Sequence, residues 1–447
     1  MFENYPSAYQ KVDATIPASG YRNNSNGSLN NAGSNGNYWF CSPNSTTNGY
    51  NLNFNSSNVN PSNNNNRANG FPVRCLRELV LTEKLRVSRH PFHMQQTTLL
   101  EDLFAAYYSA RKNKRSTSSQ LKFELNLEDN LMSLYEDLVN RTYKPSPCIC
   151  FITTDPVKRE IFASCFRDRV VHHLLYNYIN PLFEPTFIYD SYSCRAGKGT
   201  LFGIKRLEHH IRSCTRNYTR EAYVLKLDIQ GYFMSIPKAR LYEVIMRRLE
   251  KFRDSAEFDF DLVDFLIRGI LFRNPAEGCR IIGSASEWDS LPPSKSLLCA
   301  APGVGLPIGD LTSQLFSNIY LGELDKYVKR TLGCKHYGRY VDDFYIVDTD
   351  AGRLRALIPL LETYLRDTLG LTLHPRKRWI LPTKYEVSFL GARLRYRRRW
   401  ISRRNCAGII RALQRNYLPS EADSSSISRT ISSYYGLIKH FYVPSYI

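Results

Sequence analysis

The 447-residue chain has no run of eighteen or more apolar residues, so no segment is long enough to cross a bilayer as a helix. Its start, Met1-Phe2-Glu3-Asn4-Tyr5, lacks the basic and apolar regions of a secretory signal, and a cytoplasmic location without a membrane partner is expected. The eleven cysteines include one close pair, Cys148-x-Cys150, and no CxxC to complete it. That excludes a disulfide-stapled miniprotein and favours free buried thiols over a zinc site. Acidic residues are in deficit, with 41 Asp and Glu against 60 Lys and Arg and a formal charge of +19. Such a balance favours a polyanionic partner, and without membrane signals nucleic acid is the better candidate.

The basic excess is uneven. Residues 1–75 hold only Lys11, Arg22, Arg67 and Arg74 against Glu3 and Asp13. Residues 20–75 are dominated by Asn, Gly and Ser, with Asn63-Asn64-Asn65-Asn66 in the middle and Tyr38, Trp39, Tyr50, Phe54 and Phe71 interspersed. Asn and Gly favour turns and compete with regular structure, so a poorly ordered leader is expected.

From about residue 94 the pattern is that of an α/β protein of the α+β kind. Leu99, Leu100, Leu103, Phe104, Tyr107 and Tyr108 predict a helix ending in the basic run Arg111 to Arg115, and a second helix is predicted over Leu127–Val139. Residues 148–153 read as a strand and Arg169–Ile179 as a helix. Tyr223–Asp228 is an apolar, β-branched run that reads as a buried strand carrying Asp228 at its tip. Asp310–Lys329 has apolar residues at helical spacing, with Asp310 as the expected cap.

Tyr340-Val341-Asp342-Asp343-Phe344-Tyr345-Ile346-Val347 sets two adjacent carboxylates inside an apolar run. Charges near a core must be paired or bound to a cation. A tight hairpin with Asp342 and Asp343 at its turn, beside Asp228 on a neighbouring strand, would offer oxygen ligands to two Mg²⁺ ions. A lone pair of aspartates is more often a solvated turn; the apolar flanks and the matching Asp228 segment weigh against that reading here.

Tyr340-Val341-Asp342-Asp343 resembles the YxDD box of reverse transcriptases, and Lys226-Leu227-Asp228-Ile229-Gln230-Gly231-Tyr232-Phe233 is similar to their first palm motif. The resemblance implies a right-hand polymerase of fingers, palm and helical thumb, with two Mg²⁺ held by Asp228, the Ile229 carbonyl and Asp342. Asp343 would be the less essential neighbour and Phe233 the steric gate against a ribose 2′-hydroxyl. Gly305 to Asn318 resembles the motif beside the nascent base pair, in an IGxxxSQ form with Ile308, Gly309, Ser313 and Gln314. That variant, with Trp288 and Leu291 to Leu297, is associated with diversity-generating retroelements, whose enzymes copy RNA unfaithfully at adenines.

Other elements follow in order. Lys158, Arg159 and Arg169 lie in segments similar to the triphosphate-binding fingers, where planar guanidinium suits phosphate. Ser193 to Thr200 resembles the next motif and is not a P-loop, since the GxxxxGK[ST] order fails. His374 to Arg378 would offer Lys377 as a general acid to the leaving pyrophosphate. Phe389-Leu390-Gly391 matches the primer grip, and the Arg-rich stretch after it, including Arg397 and Arg398 with Tyr396 and Trp400, suits a nucleic-acid backbone path. Ile427–Tyr442 reads as a helical thumb.

The implied organisation is a leader over 1–93, fingers over 94–222, a palm over 223–392 and a thumb over 393–447. The implied partners are template RNA, a DNA or RNA primer, dNTPs and a small basic accessory protein. The leader resembles the variable cassette of lectin-fold proteins diversified by these retroelements; low-complexity disorder is the competing reading. A group II intron-like or defence-associated reverse transcriptase is the alternative enzyme. A non-catalytic RNA-binding protein on a polymerase scaffold is the alternative of another class.

Overall fold

The computed structural model of the chain describes most of residues 21–66, then residues 91–112, 117–154, 157–289 and 291–417, and scattered positions between 432 and 441. The chain divides into two units, residues 1–88 and 89–447. In the first, β1 (Tyr21–Arg22) pairs with β2 (Leu29–Asn30). The strands β3 (Gly36–Pro43), β4 (Asn48–Phe54) and β5 (Val59–Asn66) form an antiparallel meander. The expectation of a poorly ordered leader is corrected over these residues. Asn is a weak strand former, but the cross-strand ladder gives its backbone groups partners whatever its side chain prefers. The turn preference is used where a turn is needed: Asn55 Oδ1 accepts from the backbone N–H of Ser57 at 2.9 Å and of Asn58 at 2.8 Å, closing the link between β4 and β5.

The second unit opens with helices α1 (Pro91–Arg111), α2 (Ser118–Glu124) and α3 (Leu127–Val139). In α3, Leu131, Leu134 and Leu138 bury one face, and Glu128 and Asp129 complement the helix dipole in its first turn. The hairpin β6 (Ile149–Thr153) and β7 (Arg159–Ala163) leads to α4 (Phe166–Phe183) and α5 (Thr200–Cys214). Then come β8 (Tyr223–Ile229), α6 (Tyr232–Ser235), α7 (Lys238–Leu249) and α8 (Phe260–Leu271). β9 (Arg280–Ile281), which joins β6 in parallel, precedes α9 (Ala285–Asp289) and α10 (Leu311–Lys326). The remaining elements are β10 (His336–Tyr340), β11 (Asp343–Asp348), α11 (Ala351–Leu369), β12 (Leu373–Pro382), β13 (Val387–Phe389), β14 (Ala392–Arg395), β15 (Arg398–Ile401) and α12 (Arg403–Tyr417). The helix expected over Ile427–Tyr442 falls largely outside the described residues.

The central sheet has the order β10-β11-β8-β12, antiparallel throughout. Strand alternation divides its faces. Leu225, Leu227, Ile229, Phe344 and Ile346 face the larger core, shared with buried residues of α4, α7, α8, α10 and α11. Val224, Tyr345 and Val347 face a smaller core with Ile204, Leu207, Phe389 and Leu394. Lys226, Asp228 and Asp343 continue this second face by the same two-residue period, so the polar cluster occupies the end of a face that is apolar elsewhere. The chain is thus a mixed α+β protein, and among the described residues no helix is long and apolar enough to cross a membrane.

Candidate functional site

Strand pairing brings the carboxylates together. Asp228 of β8 stands directly opposite Asp343 of β11, and Tyr340 of β10 pairs with Asp343 across a loop of only Val341 and Asp342. Val341 has φ 55°, a conformation costly for a β-branched residue. The hairpin expected at the two aspartates is present, with Asp342 in the loop and Asp343 opening the returning strand.

Two lysines answer the carboxylates. Lys377 Nζ lies 2.7 Å from Asp228 Oδ2, and Lys226 Nζ lies 3.5 Å from Asp343 Oδ2. Lys377 arrives by a bulge: Leu373 pairs with Ile229 and Arg378 with Leu227, so the β12 segment between them is longer than its partner on β8. Such bulges re-aim side chains that an even ladder would point elsewhere. Lys226 was not among the residues predicted from sequence. Its signal was the period of two that puts it on the face of Asp228, and its ammonium also lies 5.6 Å from the Phe389 ring centroid.

The electrostatics suit a hard cation. Burial, then the charge of Asp228, pushes the Asp342 carboxyl up to about 7. Burial also raises Asp343, opposed by Lys226. Carboxylates that raise one another are relieved by a divalent ion bound through oxygen, so the donor chemistry fits Mg²⁺. Among the described residues no three His, Cys, Asp or Glu side chains are drawn into a ready-made metal cluster. Lys377 and Lys226 instead pair with Asp228 and Asp343.

The other predicted residues surround this centre. Ile229 ends β8 with its side chain in the large core. Phe233 is half-buried in α6, and its carbonyl accepts from Leu306 N–H at 2.7 Å, tying it to the segment that leads into Gly309. Gly309 has φ 142°, and a Cβ there would lie 2.2 Å from the Phe162 carbonyl oxygen of β7. The close approach Gly309 permits is therefore to the protein's own backbone. Ser313 is buried and Gln314 exposed on the first turn of α10.

Asp310 sits at the N-cap, but its side chain makes no capping hydrogen bond. It accepts instead from Ser164 Oγ at 2.6 Å and faces His172 Nε2 at 3.6 Å, which corrects the expected cap. The Ser164 hydroxyl outcompetes the helix amides by reaching in from the chain just after β7.

Lys158 immediately precedes β7, which Arg159 opens, and Arg169 in α4 donates Nε to the Ser164 carbonyl at 3.0 Å. Leu390 and Gly391, with φ 49° and 78°, form the two-residue turn from β13 to β14, and Phe389 is buried against Tyr345, ring centroids 5.1 Å apart. Arg397 lies in the β14–β15 turn over Tyr218 and Tyr396, at 5.9 and 5.7 Å, with Arg398 opening β15. Cys148 and Cys150 are free and buried, and burial pushes the Cys148 thiol up to about 11, as expected of inert thiols.

Comparison with known proteins adds the following. Residues 5–76 match the family model of a domain of unknown function, DUF8237. The chain is 24% identical over 343 residues to Protein YkfC of Escherichia coli strain K12, covering 69% of this chain and 81% of that protein. It is similar in structure to apo telomerase from Candida tropicalis truncated from its C-terminal domain, with TM-score 0.41, 11% identity, and 57% of this chain and 56% of that one covered. It is also similar to telomerase from Candida albicans in complex with a fragment of telomeric RNA, with TM-score 0.39, 11% identity, and 61% and 51% covered. The chain spans about half the length of these telomerase chains.

Proposed function

We propose that the chain is an RNA-directed DNA polymerase that copies a template RNA into cDNA, with residues 94–222 as fingers, 223–392 as palm and 393–447 as thumb. The observation that carries this reading is the register of Asp228 against Asp343, with Asp342 in the adjoining two-residue loop. Two Mg²⁺ ions, held by Asp228, the Ile229 carbonyl and Asp342, would supply activation of a primer 3′-hydroxyl and charge stabilisation at the leaving pyrophosphate.

The chain's own groups do the rest. Lys377, which lies 2.7 Å from Asp228, would donate a proton to the leaving pyrophosphate. Phe233, tied to the segment leading into Gly309, would exclude a 2′-hydroxyl and select dNTPs. Lys158, Arg159 and Arg169 would hold triphosphate, and Gly309, Ser313 and Gln314 would border the nascent pair. Tyr340, the Phe389–Gly391 turn, Arg397 and Arg398 would guide primer and template. The Ile308–Gln314 sequence favours the diversity-generating subtype, error-prone at adenines and served by a small basic accessory protein. Primer extension on an RNA template with dNTPs and Mg²⁺ tests the reading: Asp342→Ala abolishes incorporation, and equal incorporation by both proteins rejects it.

A further inference from the structure

Arg339 is fully buried, and burying a guanidinium costs heavily unless every part of it is paired. Its Nε and Nη2 donate to the two carboxylate oxygens of Asp325 on α10, at 2.8 and 2.7 Å. Tyr337 completes the group by donating its hydroxyl to Asp325 Oδ1 at 2.6 Å. Nη2 also donates to Ser191 Oγ at 3.2 Å. The remaining arm, Nη1, donates to the carbonyl of Val341 at 3.1 Å. The main chain of Arg339 is held too, its N–H by the Asp190 carbonyl at 2.9 Å and its carbonyl by Tyr192 N–H at 3.0 Å.

Val341 is the residue that takes φ 55° so that Asp342 can occupy the loop. A β-branched residue leaves that conformation unless its surroundings hold it. The Arg339 side chain, anchored on α10, supplies that hold one residue from Asp342. Stability does not explain the arrangement, because apolar groups of similar volume commonly replace a buried ion pair without loss. What an apolar replacement cannot do is donate to the Val341 carbonyl.

We propose that Arg339, locked by Asp325, is a positioning residue that clamps the Val341–Asp342 loop and sets Asp342 against Asp228. This rests on the polymerase reading of the carboxylates. The clamp also ties that loop to α10, whose N-cap Asp310 follows Gly309, so both sides of the nucleotide site share one rigid element.

The test uses the full chain with Arg339→Met/Asp325→Leu/Tyr337→Phe, which removes the ion pair and the tyrosine hydroxyl that completes it. The variant melts close to the wild type. The amides of Val341 to Asp343 exchange with deuterium about tenfold faster or more, while the rest of β10 and β11 is unchanged. In primer extension kcat falls on the order of 30-fold, with the KM for dNTP little altered. A folded variant with wild-type exchange and wild-type kcat overturns the proposal. If the wild type extends no primer, the polymerase reading fails and the exchange rates alone decide on the clamp. If the triple variant does not fold, Arg339→Lys takes its place with the same readouts, since an ammonium cannot bridge Asp325 and the Val341 carbonyl together.

Discussion

Asp228 and Asp343 face each other directly across adjacent antiparallel strands, and Lys226, two residues before Asp228, reaches Asp343 at 3.5 Å. Like charges opposite one another weaken a sheet, by roughly 0.2–1 kcal/mol in an exposed pair. With Asp342 in the adjoining loop, three carboxylates meet at one end of the sheet; burial raises Asp342 and Asp343, while Lys377 and Lys226 pair with Asp228 and Asp343.

Acidity dependence follows from Asp342. Its carboxyl is raised to about 7 in the folded chain, first by burial and then by Asp228. An unfolded Asp titrates near ~3.9, so between these values the folded state holds the extra proton and stability falls as pH rises. The penalty is complete above about 7 and absent below about 4. Solvent at the partly exposed carboxyl keeps it on the order of 1–2 kcal/mol. Asp342→Asn should therefore melt higher than wild type at pH 8 in chelator and equally at pH 4. A difference that does not change with pH would contradict this.

Divalent cations should reverse that penalty. An ion that binds only the folded state stabilises it by mass action, so Mg²⁺ added to wild type at pH 8 should raise the melting temperature in a saturable way. Asp228→Asn and Asp342→Asn should lose most of the gain. Calorimetric scans across a Mg²⁺ series check it, and equal gains in all three proteins would count against the shared site.

Gly309 tests the packing of the candidate nucleotide turn. Its φ of 142° and the 2.2 Å approach of a Cβ to the Phe162 carbonyl leave no room for a side chain. Gly309→Ala should cost roughly 2–4 kcal/mol in urea unfolding, through backbone strain and displacement of β7. Gly303→Ala, with φ 75° but nothing within 4 Å, should cost only about 1 kcal/mol. Similar costs at both sites would refute the packing argument.

Phe233 is expected to set sugar selectivity. Phe233→Ala should lower the ratio of kcat/KM for dNTP over rNTP by about 10²-fold, mainly by admitting rNTP. A ratio left at the wild-type value would reassign Phe233 to packing against Tyr232, whose ring lies 5.3 Å away.

Local signals made part of the molecule legible from sequence. The helix over Leu127–Val139 has the predicted bounds because its leucines recur at helical spacing. The strand through Asp228 and the hairpin at Asp342 were readable because each apolar run carries a carboxylate at its end. The β12 bulge was not readable, since its register is set by β8, far away in sequence. Arg339 and Asp325 carry no local signal in the sequence, because their pairing crosses from a strand to a helix. The leader misled for the opposite reason: its Asn content reports turn preference, while the ladder between β3, β4 and β5 depends on backbone groups that every residue carries.

The most direct measurement is the single-nucleotide incorporation rate on an RNA template primed with DNA, with Mg²⁺, for wild type, Asp228→Ala and Asp342→Ala. The account predicts measurable incorporation by wild type and a loss of about 10³-fold or more in each variant, with template binding retained. Incorporation at the wild-type rate by either variant, or none by a folded wild type that binds template and primer, would contradict it.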